Sequence, residues 1–419
     1  GLAHTLISLG HAARLPATAR LCCLARERAL MSSVAVPVMS KYELLDHPYV
    51  LQGHINTWPA LQWTPKQLAS ILPPDAVSIM VHSREHSETQ HVLETDCEFY
   101  QATPLEFVNW MMMEKRELGA HQNYCNQVGG LSGVDPGTHW GYLSYVHLKE
   151  IIERSCESNK EVLLSAADWT TVTAEEGSRT AYESTLWMGT SHSQTPLHYD
   201  VYGHNLVAQL FGEKRWTLFP PAQTHCLYPT RVPFEESSVF SAVNIKCPDL
   251  DAHPLFQNAT PWVVDLKPGD VLYVPRQWWH HVESRSTSIS LNRWREHAPD
   301  EAVPRVKEAL ARALACSWAS WVHAGSPDNS PRARCGGRKK RGQPTARPPP
   351  TAAFLNPTEE WHDHHACLAD LARALGQARG GIPAPSSAVT PTSVLDTLLA
   401  DRVLQCAADC LLAGDAPKP

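Results

Sequence analysis

The sequence predicts a mainly β fold, a sandwich or jelly-roll barrel, with helical segments before and after it. Three observations point there. Between Leu186 and Asn292 lie short runs rich in Val, Leu, Ile and aromatics: NLVAQLF, RWTLFPP, WVVDL, DVLYVP and SISLNRW. Turn-forming steps separate them, such as Gly212-Glu213 and Lys267-Pro268-Gly269-Asp270. No helical pattern intervenes, which argues against a parallel α/β sheet and for a closed or sandwiched antiparallel one. The mouth of a small barrel can hold a metal and one small ligand.

Composition sets the outer limits. A chain of 419 residues with 43% hydrophobic content can bury one large core and carry appendages. A net charge of −7 offers no electrostatic case for nucleic-acid binding. No apolar run approaches the roughly 18 residues that a membrane span requires. The 12 cysteines are scattered and form no C-x-x-C. That usage suits reduced thiols in the cytosol or nucleus better than a secreted disulfide scaffold.

Residues 1–30 are rich in Ala, Leu and Arg, with Arg14, Arg20, Arg26 and Arg28 facing only Glu27 as an acid. Mitochondrial transit peptides share this composition. A disordered leader, or a mis-assigned start with Met31 as the real one, accounts for it more simply, and a disordered leader is the expectation for residues 1–41. A β domain is expected over 42–300. Its first elements are legible in VLQGHINTWPALQWTPKQLASIL (50–72): a short strand, a turn through Trp58-Pro59, then a helix opened by Thr64-Pro65. TPLEFVNWMMMEK (103–115) repeats the signal, with Thr103 as cap and Pro104 in the first turn. Its Met111–Met113 run reads as core packing.

Beyond the barrel, EAVPRVKEALARALACSWASWV places Ala and Leu at helical spacing and predicts a helical extension over 301–323. Residues 324–352 are rich in Pro, Gly and Arg, include RKKR (338–341), and read as a disordered basic linker. A C-terminal helical region is expected over 353–419. Within it WHDHHACL clusters His362, His364, His365 and Cys367; with no second ligand pair nearby, surface histidines explain it better than zinc.

The chemistry concentrates in TPLHYDVYGHN (195–205). Alternate residues of a strand share a face, so His198 and Asp200 point together while Tyr199 turns away. A third ligand is offered by DVLYVPRQWWHHVES, where a buried strand leads through Trp278-Trp279 to His280-His281. Adjacent strand residues face opposite sides, so one of these two histidines, and not both, can join the pair. Two histidines and one carboxylate suit Fe(II) and leave coordination positions open. A catalytic zinc also takes three protein ligands, but no hydrolytic base is evident beside them.

ESTLWMGTSHSQTPLHYD, FGEKRWTLFPP, LYPTR, PGDVLYVPRQWWHHVES and SISLNRW, in this order and spacing, resemble the JmjC-domain 2-oxoglutarate oxygenases. The similarity covers about residues 42–300. It is strongest to the JmjC-only group, which includes an asparaginyl hydroxylase and a protein associated with a small heat-shock protein. The resemblance implies a double-stranded β-helix, the jelly-roll or cupin-like JmjC barrel, with Fe(II) and 2-oxoglutarate as cofactors. By it the iron ligands are His198, Asp200 and His280. Lys214 matches the family lysine that pairs with the distal carboxylate of 2-oxoglutarate, a group too costly to bury without a cation. Thr195 matches a hydroxyl on the same carboxylate. Tyr142 matches a tyrosine at that end, with Tyr145 as a competing match. Asn205 and Asn292 match polar positions lining the pocket, and Trp294 fits pocket or core equally. VYGH, between Asp200 and Asn205, is one residue longer than in the asparaginyl hydroxylase.

The expected activity is protein side-chain hydroxylation. The alternative is a non-catalytic binding protein for a small heat-shock protein, built on the same fold. Lysine demethylation ranks third, since no cysteine-rich finger accompanies the barrel in this sequence. In related JmjC-only hydroxylases C-terminal helices dimerise or hold the protein partner. The resemblance therefore implies a homodimer or a partner contact there, with Trp318 and Trp321 as candidate anchors. A helix that simply covers the open end of the barrel is the equal alternative.

Overall fold

The computed structural model describes residues 46–113, 129–173, 180–295 and 304–316, and Cys367. The leader 1–41, the linker 324–352 and, apart from Cys367, the C-terminal region 353–419 lie outside the described residues. So do Trp318 and Trp321.

Fourteen described strands form two antiparallel sheets. They are β1 (Tyr49–Gln52), β2 (Val77–Ser83), β3 (Glu98–Ala102), β4 (His139–His147), β5 (Thr185–Gly189), β6 (Gln194–Asp200) and β7 (His204–Phe211). The chain continues with β8 (Lys214–Phe219), β9 (Pro229–Glu235), β10 (Ser238–Ser241), β11 (Trp262–Leu266), β12 (Asp270–Val274), β13 (Trp279–Ser284) and β14 (Ser288–Arg295). The larger sheet runs β1-β12-β7-β14-β5-β4-β2-β3 and the smaller one β11-β8-β13-β6-β10-β9. From β5 to β8, and again from β11 to β14, successive strands alternate between the sheets. The chain thus winds around one interior, which is the double-stranded β-helix expected for the family. β7 is buried along nearly its whole length, on both faces. One face meets the barrel interior, with Val207, Trp216, Leu272 and Val282. The other meets a layer of helices.

Those helices are α1 (Pro65–Ile71), α2 (Arg84–Thr89), α3 (Pro104–Met113), α4 (Leu148–Arg154) and α5 (Glu157–Leu164). Thr64 caps α1 in a two-way exchange with Gln67. At α3, Glu106 N–H donates to Thr103 Oγ1 (3.2 Å) and Thr103 N–H to Glu106 Oε2 (2.7 Å). Phe107, Trp110 and Met111 then enter the core, while Met112 is exposed. The Met run is therefore only partly a packing feature.

Two findings go beyond the sequence reading. The larger sheet extends past β5 through β4, β2 and β3, strands the composition does not announce: β3 reads EFYQA and its edge is polar. Within the predicted extension 301–323, residues 304–316 form a helix, α6. Its buried Glu308 pairs with Arg231 (2.7 Å) and accepts Ser237 N–H (3.0 Å). Arg312 pairs with Glu236, and the Arg305 guanidinium lies 4.5 Å from the Tyr202 ring centroid. α6 is thus strapped to the β9–β10 turn through its polar face.

The β7–β8 turn sets where Lys214 enters the barrel. Gly212 has φ +66°, and a Cβ there would come within 2.0 Å of the Thr287 carbonyl oxygen. Gly212→Ala therefore combines left-handed strain with a backbone clash. It should cost about 3 kcal/mol or more, read as a lowered urea midpoint at unchanged slope.

Candidate metal centre and adjoining pocket

The β6–β13 register places His280 opposite His198, with Phe240 of β10 on the other flank. The two imidazole centroids are 4.2 Å apart, and His198 Nε2 lies 3.9 Å from Asp200 Oδ1. One ligand atom from each of His198, Asp200 and His280 falls within 4.8 Å of the others. Three donors so spaced can share one ion.

Each donor is already oriented. His198 Nδ1 is 2.8 Å from Pro196 O, and His280 Nδ1 is 2.9 Å from Trp278 O. A carbonyl only accepts, so each Nδ1 carries the proton and each Nε2 keeps its lone pair for a metal. Burial first, and then the neighbouring His280, hold the His198 pKa down to about 4, against the opposing pull of Asp200. The imidazole is therefore neutral and ligation-competent well below pH 7. Trp294 Nε1–H donates to Asp200 Oδ2 (3.1 Å), leaving Oδ1 toward the histidines. Trp294 thus belongs to the site, the alternative that the sequence left open. Trp294→Phe should keep the ring and lose this bond, lowering metal affinity by about 10- to 100-fold, the range typical of partners that orient a ligand. Mn(II) titration would read it.

His281 lies on the other side of the sheet. It is buried, its Nε2 is 3.3 Å from Gln194 Oε1, and burial pushes its pKa down to about 3. Strand alternation required one of the adjacent histidines to be excluded, and the register selects which. Tyr199 turns away too, meeting Trp279 edge-on at 4.7 Å outside the barrel interior.

A cavity adjoins the triad, and Tyr142, Thr195, His198, Asp200, Asn205, Lys214, His280 and Asn292 all line it. Lys214 is 2% exposed. Its Nζ donates to Ser290 Oγ (2.8 Å) and Tyr142 Oη (3.2 Å), and no carboxylate pairs with it among the described residues. Burial alone pushes its pKa down to about 7. With two hydroxyls as its hydrogen-bond partners, and Glu94 elsewhere in the same lining, the Lys214 amine is placed to receive an anion in this cavity. The Thr195 hydroxyl hydrogen-bonds the Tyr142 phenol, whose pKa burial pushes up, so the phenol stays a neutral donor.

The two tyrosines are separated by a bulge in β4 between Leu143 and Val146. Tyr142 remains beside Lys214. Tyr145, at φ 59° and half-exposed, is swung to the mouth, 5.6 Å from the Trp294 ring and 5.5 Å from Trp187. Asn292 Nδ2–H donates to Asn205 Oδ1 (2.9 Å), and Trp187 Nε1–H donates to Asn292 Oδ1 (2.7 Å). The positive φ of Gly203 (74°) turns the chain after Asp200, and Asn205 faces the cavity despite the added residue. Ser290 was missed from sequence. Its place two residues before Asn292 on one strand was the available signal.

The cupin-like domain family matches residues 35–301. HSPB1-associated protein 1 of Bos taurus is 36% identical over 75% of this chain and 56% of its own length. Jumonji C domain-containing protein 5 of Drosophila melanogaster is 35% identical over 39% of each chain. Lysine-specific demethylase 8 of Xenopus tropicalis is 26% identical over 60% of this chain and 49% of its own. The chain spans about half the length of the curated relatives it matches. With the wound barrel, the triad-bearing strands and these matches together, the chain belongs to the cupin-like family as a JmjC-type member, a group whose proteins are generally 2-oxoglutarate oxygenases.

Proposed function

We propose that this chain is an Fe(II)- and 2-oxoglutarate-dependent dioxygenase that hydroxylates a protein side chain. One observation carries the reading: a buried, carboxylate-free Lys214 lies in the same cavity as three pre-oriented ligands. The donor set of two neutral nitrogens and one carboxylate fits Fe(II) and leaves positions for a bidentate oxo acid. A zinc hydrolase would need the triad but would have no use for the buried ammonium.

In this reading His198, Asp200 and His280 hold the metal. Lys214 neutralises the distal carboxylate of 2-oxoglutarate, with Tyr142 and Thr195 donating beside it. The apolar walls Val207 and Val282 exclude water from the chain between them. Tyr145, Trp187 and Trp294 shape the mouth through which a substrate side chain enters. When bound, the iron and the oxo acid together supply the oxidant that inserts one oxygen atom into a C–H bond.

The partner reading is separate. A relative named HSPB1-associated protein 1 supports a small heat-shock protein as the protein bound by this chain too. That protein is then either the substrate or the cargo of a non-catalytic platform. The scattered cysteine usage of the sequence, with no C-x-x-C, is the ground for proposing a reducing compartment, the cytosol or nucleus. The deciding experiment incubates the full chain with Fe(II), 2-oxoglutarate and a small heat-shock protein, following succinate and partner mass. Succinate release with gain of one oxygen atom on the partner is expected. A stable complex with neither signal leaves the platform reading, and loss of methyl groups from methyl-lysine peptides would replace hydroxylation by demethylation.

A further inference from the structure

Asp200 is the last residue of β6, so its carboxylate stays with the two histidines only if the strand keeps its course to that point. Three backbone contacts fix that course. Asp200 is paired with Ser238 at the start of β10. Its carbonyl accepts Gln277 N–H (3.1 Å), and the next residue, Val201, donates its N–H to Ser237 O (2.8 Å). Two of the three contacts run to the β9–β10 turn. The place of the metal ligand therefore depends on how firmly that turn is held.

The turn's own sequence does not favour its shape. Ser238 pairs with Glu235, so Glu236 and Ser237 make a two-residue connection. Ser237 has φ 61°, a conformation for which glycine or asparagine is usual and in which serine carries strain. Its N–H donates to Glu308 Oε2 on α6 (3.0 Å). Glu308 is 1% exposed, and its other oxygen lies 2.7 Å from Arg231 Nη1 on β9. For docking a helix alone, an apolar pair of similar volume often serves as well as a buried ion pair. What an apolar pair lacks is an acceptor for Ser237 N–H. The same helix also grips the turn that follows Asp200. Tyr202 Oη donates to Glu236 Oε1 (3.1 Å), Arg312 pairs with Glu236, and Arg305 covers the Tyr202 ring. α6 begins beyond residue 301, where the cupin-like match ends.

We propose that Glu308, on a helix outside the matched domain, is a positioning residue for the metal ligand Asp200, acting through the backbone of Ser237 and Val201. The inference rests on the metal centre of the dioxygenase reading above. The test is calorimetric titration of the full chain with Mn(II), with the melting temperature of each variant measured alongside. Arg231→Leu combined with Glu308→Leu replaces the ion pair by apolar packing and removes the acceptor. Glu308→Gln keeps an oxygen for Ser237 N–H and loses the charge. A melting temperature near wild type with Mn(II) binding weaker by about tenfold is expected for the double variant, the low end of the range for groups that orient a ligand. Glu308→Gln should bind Mn(II) nearly as wild type does. Wild-type Mn(II) affinity in a folded double variant overturns the inference and leaves the metal centre standing. An equal loss in Glu308→Gln also overturns it, because charge rather than the bond to Ser237 would then matter. If the double variant does not fold, Glu308→Asp decides: it keeps the charge beside Arg231 and draws the oxygen back from Ser237 by one methylene. Wild-type Mn(II) affinity there overturns the inference, and a loss of about tenfold sustains it. A wild type that binds no Mn(II) removes the metal centre and this inference together.

Discussion

His198→Ala and Asp200→Ala should each abolish Fe(II) binding and reduce 2-oxoglutarate turnover to background. Three protein donors converge on one point, and each is held by a bond of its own: Pro196 O for His198, Trp278 O for His280, and Trp294 Nε1–H for Asp200. Removing one donor leaves a two-ligand site facing an open cavity. Mn(II) affinity should fall by more than the roughly 10- to 100-fold typical when only an orienting partner is lost. The variants should remain folded, because the β6–β13 ladder is made by backbone groups and Phe240, Leu218 and Trp216 still pack around the site. Mn(II) titration followed by calorimetry reads the outcome. Wild-type metal affinity in both variants would remove the metal centre from consideration.

Lys214→Ala should separate the co-substrate from the metal. A charge-assisted hydrogen bond is worth about 1.5–3 kcal/mol, so 2-oxoglutarate binding should weaken by about 10- to 100-fold while Mn(II) binding stays close to wild type. The pH dependence follows from burial. In the ligand-free protein the ammonium pKa is pushed down to about 7, from 10.5 in an exposed lysine. Only the charged form pairs with a carboxylate, and pairing raises the pKa again. Affinity should therefore be full below pH 7 and decline as pH rises through and above it, with proton uptake on binding. The same shift makes the free protein gain stability between about pH 7 and 10.5, the window in which the unfolded chain holds the extra proton. Lys214→Arg keeps a permanent charge and should flatten the pH slope. Unchanged 2-oxoglutarate affinity in Lys214→Ala would mean that the cavity takes a different ligand.

Local rules carried the sequence reading a long way. Thr64-Pro65 and Thr103-Pro104 announce helix starts because a cap hydroxyl and a ring-fixed φ act within one turn. His198 and Asp200 share a face because strand geometry has a period of two, and that holds wherever the strand lies. The apolar runs of β7, β8, β12 and β14 are legible because burial on both faces demands them. β2, β3 and β4 were not legible. EFYQA and the bulged HWGYLSYVH carry no regular alternation, and their place is set by pairing across the sheet.

What the sequence determined by itself was therefore the ligand types, the barrel class and the family. These rest on residue chemistry and short-range periodicity, which survive any arrangement of the rest of the chain. What only the tertiary structure decided was choice among near neighbours. Strand alternation leaves His280 and His281 open, and only the family resemblance favours His280; the physical reason is the β6–β13 register, which sets His280 opposite His198. Tyr142 rather than Tyr145 stands beside the cation because a bulge in β4 redirects the strand between them. Lys214 is buried because β8 begins with its side chain toward the interior, just after the Gly212 turn. Trp294 joins the site because its strand, β14, brings the indole within reach of Asp200. Each of these depends on which residue of one strand lies against which residue of another. That pairing is made between segments up to a hundred residues apart, and no local pattern encodes it.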